Sequence, residues 1–261
     1  MPTQTPLLWE HPLSPYAQKV KIALREKGVP FEVRVPTGIG AGVRDDAFSS
    51  ASPRREVPAL EHNGQTIFDS RIITDYIEET WSSPSISPAS PAARARGRMI
   101  EEAVDTQLEA IGWGLMELRV FKRGDDALRG ALEGEAQRQM GQAHAWLERQ
   151  LGDSPFFGGD AFGRADMAVI PHLAGPSRAA PESELGQWLA HCLARESVAT
   201  TLGEAQASLA SMANVEAAVK AGLFKRQYRD HRLEWIMRSG GVDIVLDGLK
   251  TDTIRFSTEF R

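Results

Sequence analysis

The sequence predicts a two-part chain in which a small α/β unit precedes an all-helical unit. Short strand patterns alternate with helical patterns over the first 80 residues, a serine- and proline-rich stretch follows, and only helical patterns lie between residues 92 and 215. We therefore expect domains at 1–82 and 92–220, a linker at 83–91, and a C-terminal extension at 221–261 whose secondary structure the pattern leaves open.

Length and composition suit a globular protein with two modest cores. The chain has 261 residues, of which 42% are apolar and 25% charged. The net charge of −5 argues against nucleic acid as a partner, because its binders carry a basic face. The single cysteine, Cys192, suits a reducing compartment. We recognise neither a signal peptide nor 18 consecutive apolar residues, so we expect a cytoplasmic protein without membrane partners.

The first predicted elements are a strand and a helix. Residues 6–11, PLLWEH, predict a short strand. Ser14 and Pro15 predict a helix start, because serine caps helices and proline suits the first helical position. Gly28 is expected to end this helix. Its basic residues are expected to face water: Lys19, Lys21 and Arg25.

Three further strands and a helix complete the α/β unit. FEVRV (31–35) predicts a strand parallel to the first through a right-handed crossover. The stretch 36–53 predicts a loop that could include a ragged helical turn, and its GIGAG segment lacks the Gly-Lys-Ser/Thr of a phosphate loop. VPAL (57–60) and QTIF (65–68) predict a hairpin around Asn63-Gly64. A helix capped by Ser70 is expected to bury four side chains: Ile72, Ile73, Tyr76 and Ile77.

The remaining patterns are helical up to the tail. They predict helices at 92–123, 128–151 and 164–174, and one or two more at 183–211. In the tail, Lys225 to Met237 predicts a basic amphipathic helix that Gly240-Gly241 ends. Beyond it, VDIVLDGL and TIRFSTEF predict either two short strands or extended chain.

The turn that opens the first helix has the features of a thiolate site. A helix start offers unpaired N–H groups and the positive end of the helix dipole. A Ser14 hydroxyl that donates to a sulfur atom would add to this effect and lower the thiol pKa from about 8.5. More of the nucleophilic thiolate would then be present at neutral pH. The alternative is that Ser14 only caps the helix.

Two further features suit the rest of a thiol tripeptide. If the bond before Pro58 is cis, Val57 presents its N–H and C=O to an extended peptide. The helix start at Ser70 can hold a carboxylate, and Asp69 can hold an ammonium group, although both residues could simply cap the helix. A ligand with an amino-acid head, a peptide middle and a thiol meets these demands, and glutathione is such a ligand.

These residues also carry a family resemblance. The segment LSPYAQKVKIALREKGVPFE (13–32) resembles serine-type cytosolic glutathione S-transferases, particularly tau-like and omega-like members. The resemblance covers about residues 6–215 and implies a thioredoxin-like N-terminal domain, an all-helical C-terminal bundle and a homodimer. It also implies roles for five residues: Ser14 as catalytic hydroxyl, Val57 with Pro58 as the peptide-pairing site, and Asp69 with Ser70 as the γ-glutamyl site.

Two positions depart from the family pattern. Tau-like members carry a basic residue where this chain has Glu56, so we assign the glycyl carboxylate to Arg55, although another basic residue could bind it. The capping box of the second domain, Ser/Thr-x-x-Asp, is replaced by the segment from Gly163 to Asp166, which lacks the side-chain acceptor at its first position.

The resemblance implies an apolar second substrate next to the bundle. We assign Tyr16, Trp113 and Met116 to its pocket, with packing in the core as the alternative. The favoured function is conjugation of the glutathione thiolate to an apolar electrophile. Glutathione-dependent ether cleavage or isomerisation would use the same site, and a non-catalytic binding or scaffold protein would use the same fold. No Cys/His cluster predicts a metal site, so glutathione is the only expected cofactor.

Overall fold

The structure is a computed structural model that describes residues 4–37, 45–209 and 231–253. Its first part contains a four-stranded sheet of order β2-β1-β3-β4. Strand β2 is parallel to β1, whereas β3 is antiparallel to both β1 and β4. The elements are β1 Leu7–Trp9, α1 Pro15–Glu26, β2 Glu32–Arg34, α2 Asp46–Ala51, β3 Ala59–His62, β4 Gln65–Phe68 and α3 Ser70–Thr80. This order confirms the predicted thioredoxin-like fold. The GIGAG segment lies outside the described residues.

In the described residues of the second part all regular elements are helices, and an isolated bridge joins Phe156 and Gly159 in a connection between two of them. Its elements are α4 Pro91–Ala103, a π-helical turn Val104–Leu108, α5 Glu109–Arg119, α6 Asp126–Leu151, α7 Arg164–Leu173, α8 Glu184–Leu193 and α9 Glu196–Ser208. The helix expected at 92–123 therefore contains a π-helical turn and ends at Arg119. The all-helical prediction is confirmed, whereas the bounds proposed for the domains remain a prediction.

The tail contains two short helices, α10 His231–Arg238 and α11 Val242–Lys250. The prediction of strand or extended chain for VDIVLDGL was wrong, because this segment forms α11. The alternation of Val242, Ile244 and Leu246 suggested a strand, but Val242, Leu246 and Leu249 also recur at helical spacing. Most of TIRFSTEF and the start of the predicted basic helix lie outside the described residues. None of the described helices is long and apolar enough to span a membrane.

Helix α1 lies at the centre of the molecule. It packs on α3 within the first part and on α7 and α9 of the bundle. A single apolar core runs from Leu8 and Ile22 through Ile100 to Ile170 and Leu189, all of them buried. The position of α1 therefore depends on both parts of the chain.

The prediction that the basic residues of α1 face water was wrong. Lys19 and Lys21 are 2% and 1% exposed, and Arg25 is largely buried. Charged side chains are normally exposed unless they are paired, and here the rest of the chain supplies the partners. Lys21 Nζ lies 3.0 Å from Glu10 Oε1 and 2.6 Å from Glu204 Oε2.

Two details of α3 also differ from expectation. Asp69, not Ser70, is the N-cap, and its Oδ1 accepts hydrogen bonds from the N–H groups of Arg71 and Ile72 at 2.9 and 3.4 Å. Ile72 is 55% exposed, whereas Ile73 and Ile77 are buried as expected. An N-cap one residue earlier makes Ser70 the first helical residue, and Ser70 is buried.

Candidate functional site

Ser14 lies where the chain turns from β1 into α1. It is the N-cap of α1, with Pro15 at the first helical position, as predicted. Its N–H donates to the His11 carbonyl at 2.8 Å, and its Oγ accepts from the Ala17 N–H at 3.3 Å. A hydroxyl has one proton to donate and two lone pairs to accept with. The half-buried Ser14 can therefore cap the helix and still donate its proton to a ligand.

The side chain of His11 lies close behind this turn. Its Nδ1 accepts from the Leu13 N–H at 3.3 Å. Burial lowers the pKa of His11, so the imidazole is neutral at neutral pH. The positive potential at this helix start therefore comes from the helix dipole and its N–H groups rather than from an imidazolium.

Tyr16 reaches across to the helical bundle. Its hydroxyl donates to the main-chain carbonyl of Asp105, in the π-helical turn, at 2.6 Å. Burial raises the pKa of the Tyr16 phenol, with further contributions from Glu109 and Asp105, so the hydroxyl keeps its proton and remains a donor. Of the other residues predicted for the substrate pocket, Trp113 and Met116 lie half-buried on α5.

The loop before β3 presents the predicted peptide-pairing residue. The Val57-Pro58 bond is cis, which meets the condition stated for the peptide-pairing role of Val57. Pro58 is buried and Val57 half-buried. Within the described residues, the main chain of Val57 forms no hydrogen bond.

Arg55 precedes Val57 in a strained part of the same loop. It is exposed and has a positive φ of 55°. The buried Ser52 hydroxyl holds this loop, because it accepts from the Glu56 N–H at 3.1 Å and donates to the Glu56 carbonyl at 3.0 Å. The Glu56 carboxylate pairs with Arg54 at 3.0 Å.

A buried ionic cluster that the sequence did not predict joins the two parts of the chain. Its members are the buried Lys19, Glu101, Asp105 and Arg164 and the partly exposed Asp75. Burial alone would raise the pKa of Asp105, but the Lys19 and His172 side chains outweigh this effect and hold that pKa below its ordinary value. No sequence signal indicates this cluster, because Lys19, Asp75 and Arg164 are far in the chain from each other and from Glu101 and Asp105.

The segment from Gly163 to Asp166 shows why the expected cap is incomplete. A Cβ atom on Gly163 would lie 2.7 Å from the main-chain oxygen of Ile86, so serine or threonine does not fit there. Asp166 instead accepts from the N–H groups of Phe157 and Gly163, both at 3.0 Å, and from Trp188 Nε1 at 3.1 Å. Burial raises the pKa of Asp166 to about 6.

No group of three or more potential metal ligands occurs among the residues that the structure describes. The chemistry that the site offers is that of two helix starts. Ser14 offers a hydroxyl at the start of α1, and Asp69 and Ser70 lie at the start of α3. Such helix starts favour anionic groups, which suits a thiolate at the first and a carboxylate at the second.

Comparison with known proteins gives one consistent family. The sequence profile described as "Glutathione S-transferase, N-terminal domain" matches residues 8–85. Glutathione S-transferase U22 of Arabidopsis thaliana is 32% identical over 212 residues, which cover 76% of this chain and 89% of the relative. Glutathione S-transferase U28 of the same plant is 31% identical over 208 residues, which cover 74% of this chain and 86% of the relative.

A solved structure agrees in fold. The tau-class glutathione S-transferase from mango, Mangifera indica, superimposes with a TM-score of 0.68 at 24% identity, covering 81% of this chain and 98% of that chain. The likeness therefore extends over both the sheet-containing part and the helical part.

Proposed function

Because this chain belongs to the glutathione S-transferase family, we propose that it conjugates glutathione to an apolar electrophile and that the Ser14 hydroxyl stabilises the thiolate. The chain is a glutathione-dependent transferase, as its relatives are named. One observation carries the assignment of Ser14. Its hydroxyl caps the first turn of α1 as an acceptor and retains its own proton as a donor.

The chemical role of Ser14 is to favour the ionised thiol. Its hydroxyl donates to the glutathione sulfur, which also lies at the positive end of the α1 dipole. Both interactions favour thiolate over thiol and so lower the thiol pKa. The thiolate then attacks the electrophile and a carbon–sulfur bond forms. In a substitution the leaving group departs with its electron pair; in an addition the π electrons of the activated double bond move to the neighbouring carbon, which then takes a proton from water.

The other site residues hold the ends of glutathione. Val57, before Pro58, pairs its main chain with the cysteinyl unit in the manner of an added strand. The start of α3, at Asp69 and Ser70, takes the γ-glutamyl head. The hydrogen bonds that cap α3 both use Oδ1 of Asp69, so Oδ2 is left for the ammonium group of the γ-glutamyl head. Arg55 is exposed two residues before Val57 and takes the glycyl carboxylate.

The apolar electrophile lies next to the bundle, against Tyr16, Trp113 and Met116. The Tyr16 hydroxyl is already bound to the bundle, so this residue would contact a substrate through its ring. The site needs no metal, because the thiolate is the nucleophile and the protein supplies orientation and charge stabilisation. Ether cleavage and isomerisation would begin with the same thiolate, and product analysis distinguishes them from conjugation.

We also propose a cytoplasmic homodimer. The faces of α3 and α4 present Ile72 and Met99, which are 55% and 66% exposed. Two ion pairs flank these residues, Arg71 with Glu102 and Arg98 with Asp75. An apolar centre with both signs of charge around it suits a second copy of the same surface. Light scattering should give about twice 28.6 kDa, and a monomer at micromolar concentration would contradict this proposal.

A spectroscopic titration tests the function. The absorbance of enzyme-bound glutathione thiolate, followed against pH, should show a pKa well below about 8.5. Ser14→Ala should restore the ordinary ionisation and reduce turnover by about ten- to a thousandfold, as expected for the loss of one donor to an anion. Unchanged ionisation in Ser14→Ala would remove Ser14 from the mechanism. Glutathione binding without turnover on varied electrophiles would indicate a non-catalytic binding protein.

A further inference from the structure

One buried carboxylate connects the two helices that start at the proposed glutathione site. Glu101 lies on α4 and is 1% exposed. Its Oε1 accepts from Lys19 Nζ at 2.8 Å, and its Oε2 accepts from Arg164 Nε at 2.6 Å. Lys19 belongs to α1, the helix that begins immediately after Ser14. One oxygen of Glu101 therefore holds the helix of the thiol site.

Arg164 extends the connection to the second helix. Its Nη2 donates to the main-chain carbonyl of Arg71 at 3.2 Å, and its Nη1 binds the Asp75 carboxylate. Arg71 is the second residue of α3, directly after Ser70, so this contact lies in the first turn of the helix. The other oxygen of Glu101, through Arg164, therefore holds the helix of the γ-glutamyl site.

The distance between these helix starts matters for a ligand that occupies both. In the function proposed above, on which this inference rests, glutathione has its thiol at Ser14 and its γ-glutamyl head at Asp69 and Ser70. Such a ligand binds with the full benefit of both contacts only when the two sites are held at the spacing that fits its length. We propose that Glu101 is a positioning residue that sets the spacing between the thiol site and the γ-glutamyl site.

Glu101→Gln is the least disruptive variant that tests this role. The amide keeps the size of the side chain but has one acceptor oxygen, so either Lys19 or Arg164 faces an NH₂ group. The two cations keep other partners, since Lys19 also binds Asp105 and Arg164 also binds Asp75. The spacing should therefore become less well defined while both helices remain in place.

Glu204 of α9 provides the matched control. Its carboxylate also bridges a lysine and an arginine, with Oε2 at 2.6 Å from Lys21 Nζ and Oε1 at 2.5 Å from Arg25 Nη2. Both cations belong to α1, so Glu204 does not reach α3. Glu204→Gln loosens α1 against the bundle without breaking the connection between the two helix starts.

The test compares a ligand that spans both sites with one that does not. Calorimetry gives the dissociation constants of glutathione and of cysteinylglycine, which lacks the γ-glutamyl head. In Glu101→Gln the glutathione constant should rise about tenfold, as a small misplacement of two binding groups would cause, and the cysteinylglycine constant should stay unchanged. In Glu204→Gln the ratio of the two constants should equal that of the wild type.

Three outcomes would count against the proposal. If the ratio of the two dissociation constants is unchanged in Glu101→Gln, whether neither constant changes or both rise by the same factor, Glu101 only stabilises the fold. If Glu101→Gln does not fold, Arg164→Lys keeps the charge and removes the donor to Arg71, and wild-type affinity for glutathione in that variant would overturn the proposal. A wild-type protein that binds both ligands equally would instead refute the γ-glutamyl site, and with it the proposed function.

Discussion

Tyr16 lies in the first turn of α1, two residues after Ser14, and its hydroxyl contacts the bundle. It donates to the Asp105 carbonyl at 2.6 Å, within a π-helical turn where the Glu109 N–H bonds the Val104 carbonyl five residues back. A carbonyl oxygen has two lone pairs, so it can accept a side-chain hydroxyl in addition to a helical N–H. π-helical turns are frequent at functional sites. The contact fixes the first turn of α1 against the bundle.

We therefore predict that Tyr16→Phe impairs the proposed thiolate site without unfolding the protein. The loss of one neutral hydrogen bond should reduce kcat/KM for glutathione about five- to tenfold. The pKa of the bound thiol should rise in the same variant, because the Ser14 hydroxyl is then less firmly held. Steady-state kinetics over a range of pH measures both effects.

Tyr76→Phe is the control for this prediction. The Tyr76 hydroxyl lies 2.7 Å from Nδ1 of the buried His62, so its hydrogen bond lies within the sheet-containing part and not on the π-helical turn. Its removal costs a comparable hydrogen bond but should leave the thiol pKa as in the wild type. Equal kinetic effects in the two variants would mean that the Tyr16 hydroxyl has only a structural role.

The sequence predicts structure that depends on a few adjacent residues, such as caps and turns, but it does not predict ion pairs between distant residues. The cap at Ser14 and the turn at Asn63-Gly64, whose φ angles of 50° and 74° are both positive, follow from the conformational preferences of a few adjacent residues. Lys19 is paired with a carboxylate 82 residues away, at Glu101, and Lys21 is paired both with Glu10 nearby and with the distant Glu204. A helical pattern places charged residues outside because it contains no information about such partners.

At the scale of elements, the incomplete cap of α7 is a consequence of close packing. The Ile86 carbonyl, from the segment between α3 and α4, accepts the Arg164 N–H at 2.8 Å and lies against Gly163. Only a residue without a Cβ permits this approach. The sequence pattern correctly indicated a helix start there, but the reason for glycine became visible only with the neighbouring segment in place.

We predict that Gly163→Ala destabilises the protein. Its Cβ would meet the Ile86 main-chain oxygen at 2.7 Å, and overpacking of this kind costs about 1–3 kcal/mol of unfolding free energy. Gly203→Ala is the opposite case, because a Cβ added at this position on α9 would have no neighbouring atom within 4 Å. It should stabilise the protein by about 0.5–1 kcal/mol, as expected when alanine replaces glycine in a helix.

Urea unfolding of both variants measures these changes in free energy. A Gly163→Ala variant as stable as the wild type would show that the segment before α4 yields easily to the added methyl group. The same experiment on Gly203→Ala separates the effect of packing from the general effect of alanine in a helix.

The whole molecule is joined through charges around α1. Glu26 at the end of α1 accepts from Arg195 Nε at 2.9 Å and Nη2 at 2.7 Å, and it also binds the Ser197 hydroxyl. Arg195 is the N-cap of α9, and Ser197 lies in its first turn. The ion pairs of Lys19 with Glu101 and of Lys21 with Glu204 add to this contact, so α1 is bound to the bundle along its length. The stability of the two parts should therefore depend jointly on the ionisation of these carboxylates.

Acidic pH should weaken the ionic contact between Glu26 of α1 and Arg195 of the bundle. Burial alone would raise the pKa of Glu26, but the hydrogen bonds from Arg195 and Ser197 outweigh it and hold that pKa below its ordinary value. The pKa in the unfolded chain is about 4.3, so the folded state binds its proton less readily. The contribution of Glu26 to stability is then fully present above about pH 4.3 and is lost as the pH falls through the lower folded pKa.

Glu26→Gln tests this dependence on pH. Glutamine keeps one acceptor but no charge, so the variant should be less stable than the wild type at pH 7 by about 1.5–3 kcal/mol, the range for hydrogen bonds to a charged group. The two proteins should approach equal stability as the pH falls through the lowered folded pKa of the wild-type carboxylate. Thermal unfolding between pH 3 and pH 7 gives the difference in Tm directly.

Glu135→Gln on α6 is the control for this prediction. It shows whether the loss of Tm depends on the location of the carboxylate between α1 and the bundle or on the loss of any paired carboxylate. Arg138 and Gln139 lower the pKa of Glu135 to about 2, but the group is fully exposed. Solvent and salt screen an exposed pair, so its removal should change Tm little at any pH. A gap for Glu26→Gln that stays the same from pH 7 to the acidic end of the range, or one no larger than that for Glu135→Gln, would mean that the charge of Glu26 does not help to hold α1 on the bundle.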